Sequence, residues 1–482
     1  AAGGIVLVIV LRPVRKPIQA RHAFIWILIL LSGLILLENA ITSPTNPDTA
    51  LYHAQTIRWM ETYRVVPGLA NIHYRLAENS SWLTLSAVFS FAFLGLQSFH
   101  LMDSLFILVG LFYFSEGPRN IIQGKLTISS VAKFILFFLS IYIYRNELSS
   151  PGTDLPATML IWIISILLVE KLELGGFQFD ILSVAIFLLS IFALTVKLSA
   201  LPLIFIAFLI IVQQFRKRDF INSFNLAGIG LLVLLPWVIR NVILSGYLVF
   251  PVSQIDVFAL DWKYPPANAD SNRLGIIWYA RFPGKDWSNF VGLPISKWAP
   301  EWFNNLSFNQ KALFLGAAIS PLGLVLFAAP PNLKLLERFL WPYLVNYLGV
   351  VFWLLTAPNV RFGYGFLTTT IILIISSIIT AVMARFAIGS GLVITILLLS
   401  LYQGYALVTT TNFVFLREHL ILPADYLPSR TDPCQIHNAT VFCRKVANQC
   451  NYEDFPCIPS PQPNVEMRGT TWQDGFRTIS NP

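Results

Sequence analysis

The chain has 482 residues, 55% of them apolar and only 12% charged, against about 25% charged in an ordinary soluble domain. That composition excludes a soluble globular enzyme and reads as a polytopic membrane protein. The net charge of +8 calls for no nucleic acid, because the basic residues lie between apolar runs, where membrane orientation accounts for them.

In chain order, the opening run Gly4–Leu11 is too short to span and reads as the tail of a helix, not as a signal peptide. Arg12, Arg15, Lys16 and Arg21 follow it, and positive-inside bias places them in the cytoplasm. The first complete span, about Ala23–Ile41, therefore delivers the next segment outside. Trp82–Leu96 is expected to lie flat as a helix at the outer interface. Further spans are expected near Phe99–Phe114, Val131–Tyr144, Leu155–Val169, Ile181–Val196, Leu201–Phe215 and Ile221–Leu244. A long outer loop, Ser245–Lys311, carries Trp262, Trp278, Trp287, Trp298 and Trp302, which suit either sugar stacking or an interfacial aromatic belt. The last spans fall near Ala312–Ala329, Phe339–Thr356, Gly365–Met383 and Ile388–Leu407.

The expected architecture is an all-α polytopic membrane protein with eleven complete spans plus the N-terminal fragment. Residues 1–407 form the transmembrane domain, with a first outer loop at 46–98 and a large outer loop at 245–311; residues 408–482 form an extracytoplasmic tail. Cys434, Cys443, Cys450 and Cys457 all lie in that tail. An even number in a polar tail reads as disulfides in an oxidising compartment, and sequential pairing is the simplest of three connectivities. Zinc is the alternative, although the spacings match no common finger. No GxxxxGK[ST] and no GxGxxG follows a strand pattern, which argues against an ATP-driven pump.

The polar run Asn46–Trp82 concentrates the charge: Asp48, His53, Arg58, Glu61, Arg64, His73, Arg75 and Glu78. At helical spacing Asp48, Tyr52 and Gln55 share a face. Asp154 stands in a second outer loop, SSPGTDLP. Two carboxylates from separate loops at one membrane face are expected to converge. There they act as general base on an acceptor, or hold a divalent cation (Mg or Mn) against a phosphate leaving group. Asp154 reads equally as a helix cap. Lys197, Arg240 and Arg361 sit at the outer ends of spans, placed either to clamp a lipid-linked phosphate or to snorkel to headgroups. Tyr52, His53, His73 and Arg75 complete the candidate substrate-binding set.

These motifs resemble the GT-C class of membrane glycosyltransferases. Asp48, Tyr52, the Pro67-Gly68 turn and Asn79-Ser80-Ser81-Trp82-Leu83 follow the order of that class's first outer loop. The stretches NPDTALYHAQ, VPGLANIHYR, RNVILSGYLVFP and APNVRFGYG look closer still to a bacterial group of multi-span proteins assigned to it. The resemblance implies a GT-C-like bundle in the bacterial inner membrane, with its active face and C-terminus in the periplasm. It further implies a polyprenyl-phosphate sugar as donor, Asp48 as general base or metal ligand, and Asp154 in support. The partners it implies are membrane lipids and the lipid-linked sugar. Many members carry a second acid beside the first; this chain has Asp48 alone, so a GT-C-like scaffold without catalysis, or a lipid-handling subunit of a membrane assembly, is the alternative. A secondary transporter fits less well, because the polar clusters sit at one membrane face, not at mid-membrane.

Overall fold

The computed structural model describes residues 20–95, 98–144, 147–176, 178–283, 285, 292–327, 333–383, 389–410, 412–445 and 450–479. The opening run Gly4–Leu11, together with Arg12, Arg15, Lys16 and Trp287, lies outside the described residues.

The fold is mostly helical. Helix α1 (Ala20–Ala40) leads to a π-helical turn, Thr49–His53, that runs into α2 (Ala54–Thr62). Short helices α3 (Leu69–Ile72) and α4 (Ser81–Val88) follow. The bundle is then built from α5 (Met102–Phe114), α6 (Glu116–Ile122), α7 (Ile128–Tyr144), α8 (Asp154–Glu173), α9 (Ile181–Val196) and α10 (Ile204–Arg216). It continues through α11 (Phe220–Ser245), α12 (Pro266–Arg281), α13 (Ile295–Asn305), α14 (Phe308–Ile319), α15 (Pro321–Val325), α16 (Leu333–Thr356), α17 (Val360–Met383), α18 (Gly389–Thr410) and α19 (Phe413–His419).

Helix α8 is the axis of the bundle. It is apolar all round, so it takes the position where every face meets protein: each residue from Leu155 to Val169 is buried, and α7, α9, α16 and α17 pack around it. Helices α16 and α17 form a tight hairpin beside it. A Cβ at Gly363 would lie 2.6 Å from the Trp353 ring, so the small residue is what lets the two backbones approach. The periphery is apolar too. Phe220, Ile221, Phe224, Leu231 and Leu232 of α11 are exposed, a face suited to lipid and not to water.

Five helices are long and apolar enough to cross a membrane by length and composition: Asp154–Glu173, Leu198–Arg216, Phe220–Ser245, Leu333–Thr356 and Val360–Met383. They mark the chain as a membrane protein, but among the described residues they are far fewer than the eleven expected spans. The expected runs do form apolar helices, and many are too short to qualify. Phe99–Phe114 yields only the 13 residues of α5, and α9 has 16. Ala312–Ala329 is divided into α14 and α15 at Pro321, whose ring cannot continue a regular helix through its missing N–H. Trp82–Leu96 gives the eight residues of α4, which are too few to span, as expected.

The tail folds as β1 (Thr431–Ile436), β2 (Ala439–Arg444) and β3 (Cys457–Ile458), with β2 antiparallel to β1 and parallel to β3. A small ribbon, β4 (Val465–Met467) with β5 (Phe476–Thr478), completes it. Disulfides join Cys434 to Cys443 and Cys450 to Cys457, the sequential pairing.

The tail docks on the polar run. Gln55 donates to the carbonyls of Asn451 and Asp454 and accepts from the Cys457 amide. Trp59 meets Phe455 edge-on, and the Phe476 amide donates to the Pro67 carbonyl. Gly68 is required there: at φ +68 its Cβ would sit 2.1 Å from the Phe476 carbonyl oxygen. These contacts form a second apolar core around Trp59, Leu69, Val441, Ile458 and Phe476.

Candidate functional site

Three helix ends meet at one end of the bundle. The N-terminus of α8 presents Asp154, the N-terminus of α17 presents Arg361, and Lys197 follows the last residue of α9. Each is held for a local reason. Asp154 is the first residue of its helix, where a carboxylate suits the positive end of the dipole; the N-cap is Thr153, whose side chain makes no capping bond. The Ala357–Asn359 turn before Arg361 is stapled by two indoles. Trp302 donates to the Pro358 carbonyl and Trp353 to the Asn359 carbonyl, while Asn359 Oδ1 accepts from the Arg361 amide.

The polar run brings Asp48 to the same point. Arg361 Nη2 lies 2.9 Å from Asp48 Oδ2, and its Nε lies 3.6 Å from Asp154 Oδ2. Arg75 Nη1 approaches Asp48 Oδ1 at 3.5 Å, and Lys197 pairs with Asp154. The two carboxylates from separate loops therefore converge, bridged by one guanidinium. Arg361 Nε is enclosed and has no hydrogen-bond partner, which leaves a donor for a ligand oxygen.

The electrostatics follow from burial and charge together. Burial opposes ionisation of Asp48, but Arg361, His53 and Arg75 outweigh it and hold the carboxyl below its ordinary range. His53 is buried against Tyr52, ring centroids 4.2 Å apart. Burial lowers its pKa to about 4, although Asp48 and Asp154 pull it upward, so the imidazole is neutral near pH 7. Glu78, which the sequence reading named without a role, is pushed up by burial against the pull of Arg75. Burial likewise pushes Tyr52 up, and Glu78 and Asp48 add to it.

The remaining expected residues lie elsewhere. Arg240 is turned to Asn79 Oδ1, and Asn79 in turn exchanges hydrogen bonds with Trp237; the Asn-Ser-Ser motif is a splice onto α11, reinforced where Ser80 donates to the Val196 carbonyl. Arg240 is therefore not in the ion cluster. His73 lines a separate cavity between the polar run and the tail, and burial lowers its pKa to about 3. The shared face of Asp48, Tyr52 and Gln55 is broken by the π-helical turn, and Gln55 serves the tail instead. Trp278, Trp298 and Trp302 are buried in the core, and Trp262 lies under Arg468. The three buried indoles pack within the protein, and Trp262 is half-buried.

Among the described residues no group of three or more His, Cys, Asp or Glu is placed to hold a metal ion. Asp48 and Asp154 are already neutralised by Arg75, Arg361 and Lys197. The set combines two carboxylates with three cations and so carries a net positive charge.

The family profile for a domain of unknown function (DUF8201) matches residues 6–368. The chain belongs to the DUF8201 family. That match includes every member of the ion cluster, and the tail lies beyond it. No curated protein and no solved structure matches this DUF8201 chain.

Proposed function

We propose that this protein is a GT-C-like glycosyltransferase that moves a sugar from a polyprenyl-phosphate donor to an envelope acceptor at the outer face of a bacterial inner membrane. The observation that carries this reading is the Asp48–Arg361–Asp154 bridge at one end of an apolar bundle. Fewer helices than eleven qualify as spans by length alone; the shorter apolar helices complete the proposed bundle by packing against the long ones. The two disulfides lie in the tail that docks on the same end, which supports an oxidising, periplasmic side for it.

The chemistry balances with the residues present. The acceptor oxygen forms a bond to the sugar C1, and the bond from C1 to the phosphate oxygen breaks. Polyprenyl phosphate leaves with the electron pair, and the acceptor proton passes to Asp48. Arg361, Lys197 and Arg75 hold the phosphate oxygens. When Arg361 turns to the phosphate, Asp48 loses the cation that most depresses its basicity, so donor binding and activation of the base are coupled.

A second reading has one observation in its favour. Both carboxylates are already ion-paired, which is what a scaffold clamping its helices together also needs. Reconstitution separates the two: in liposomes carrying radiolabelled polyprenyl-phosphate sugars together with a bacterial envelope extract as acceptor source, the wild-type protein should release polyprenyl phosphate, and Asp48→Asn should abolish that release while staying folded. No release by the wild-type protein would leave the scaffold, and equal release by both would remove Asp48 as the base.

A further inference from the structure

A cavity of about 380 Å³ lies between the polar run, the start of α12 and the tail, with Arg75, the partner of Asp48, in its wall. Its volume falls within the usual range of small-ligand sites, roughly 300–1,000 Å³. Its walls combine aromatic and amide side chains: Tyr74 and Tyr264, with Asn268, Gln462 and Asn464. Among the described residues these three amides make no side-chain hydrogen bond within the protein, so each offers a free donor pair and a free acceptor. No carboxylate lines the cavity, and Arg75, its one permanent charge, is already met by Asp48 at 3.5 Å.

We infer that this cavity binds a neutral, polyhydroxylated ligand, a saccharide. Amides pair with neighbouring hydroxyls, and tyrosine rings cover the apolar face of a sugar. A charged ligand finds no unpaired counter-charge there, and an apolar one would strand the amides without partners. The tail supplies Gln462 and Asn464, so the site exists only when the tail is docked. That the bound sugar belongs to the transferase's acceptor rests on the function proposed above; saccharide binding does not.

The test is saturation-transfer NMR on the full chain in nanodiscs, with the methyl glycosides of glucose, galactose, mannose, rhamnose and N-acetylglucosamine as probes at millimolar concentration. At least one glycoside should receive signal, and Asn268→Ala and Gln462→Ala should each reduce it threefold or more. Both positions line the cavity without structural hydrogen bonds, so the variants keep their fold. No transfer to any glycoside, or undiminished transfer in both variants, overturns the inference. Asp48→Asn should retain glycoside binding. If the wild-type protein binds glycoside but gives no donor turnover with an acceptor present, the transferase reading fails and the saccharide site stands. If the two alanine variants bind as wild type while Asp48→Asn loses release, the saccharide site alone fails.

Discussion

Arg361 reaches Asp48 at 2.9 Å although the two come from opposite parts of the chain, and the same guanidinium extends to Asp154. The bridge depends on a planar fork with donors in two directions. Arg361→Lys, which keeps the charge and loses the fork, should lower sugar release at least tenfold with little change in Tm. Release equal to wild type would show that charge alone suffices at this position.

Acid should destabilise the fold through its histidines. His53 has an ordinary pKa of 6.5 and a folded value of about 4, so between these values the unfolded chain binds the extra proton. Stability therefore falls as pH drops from 6.5 towards 4, by about 3 kcal/mol in full. His73, at about 3, adds to the same slope. Asp48 acts in a lower window: its depressed pKa contributes stability above the ordinary carboxylate range, which is lost only as pH falls through the folded value. Tm recorded from pH 7.5 to 4 should decline, and His53→Phe should flatten part of that decline. An unchanged slope in the variant would remove His53 as its source.

Chelation offers a check on the cluster's charge. With both carboxylates held by cations, EDTA should leave sugar release within twofold of the untreated value. A loss restored by Mg or Mn would place a cation between Asp48 and Asp154 and displace Arg361 from its bridging role.

Tail docking should be sensitive to the Cys450–Cys457 bridge. The loop it closes carries the carbonyls of Asn451 and Asp454 that hold Gln55. Cys450→Ser with Cys457→Ser should cost about 2–4 kcal/mol, read as a lower Tm, and should expose the tail to limited proteolysis. Resistance equal to wild type would mean that Trp59, Phe455 and Phe476 hold the tail unaided.

Opposite the ion cluster, the ammonium of Lys133 is 1% exposed and lies 2.6 Å from Glu170. Lys133→Ala removes the cation shared by Glu170 and Glu116 and leaves Glu170, among the described residues, only the Tyr113 hydroxyl; a fully buried pair broken this way costs about 3–5 kcal/mol, and the partial exposure of both carboxylates lowers that cost. The expected result is a lower Tm; a Tm within a degree of wild type would show that the Tyr113 hydroxyl and solvent suffice for Glu170.

How much of this was legible from residues alone differs by element. Apolar runs announced the helices at nearly their final bounds: the expected Ile221–Leu244 is α11, Phe220–Ser245. The two carboxylates were legible too, because each lies in a short polar segment between apolar runs; their contact through Arg361 is what the fold adds. Arg240 was not: its depth matched that of Arg361, and only packing sends it to Asn79. Nor was the fate of the tryptophans, since composition cannot tell a buried indole from an interfacial one.

The sequence by itself therefore determined a membrane-embedded helical class, the concentration of charge beside one end of the helices, and a tail of four cysteines, because hydropathy and residue type act locally along the chain. The tertiary structure alone decided which cation meets which carboxylate, that Arg240 turns to Asn79, and that the tail closes a cavity over the polar run. Those outcomes depend on close approach, such as Gly68 beneath the Phe476 carbonyl and Gly363 against Trp353, and close approach is a property of two segments together that neither carries alone.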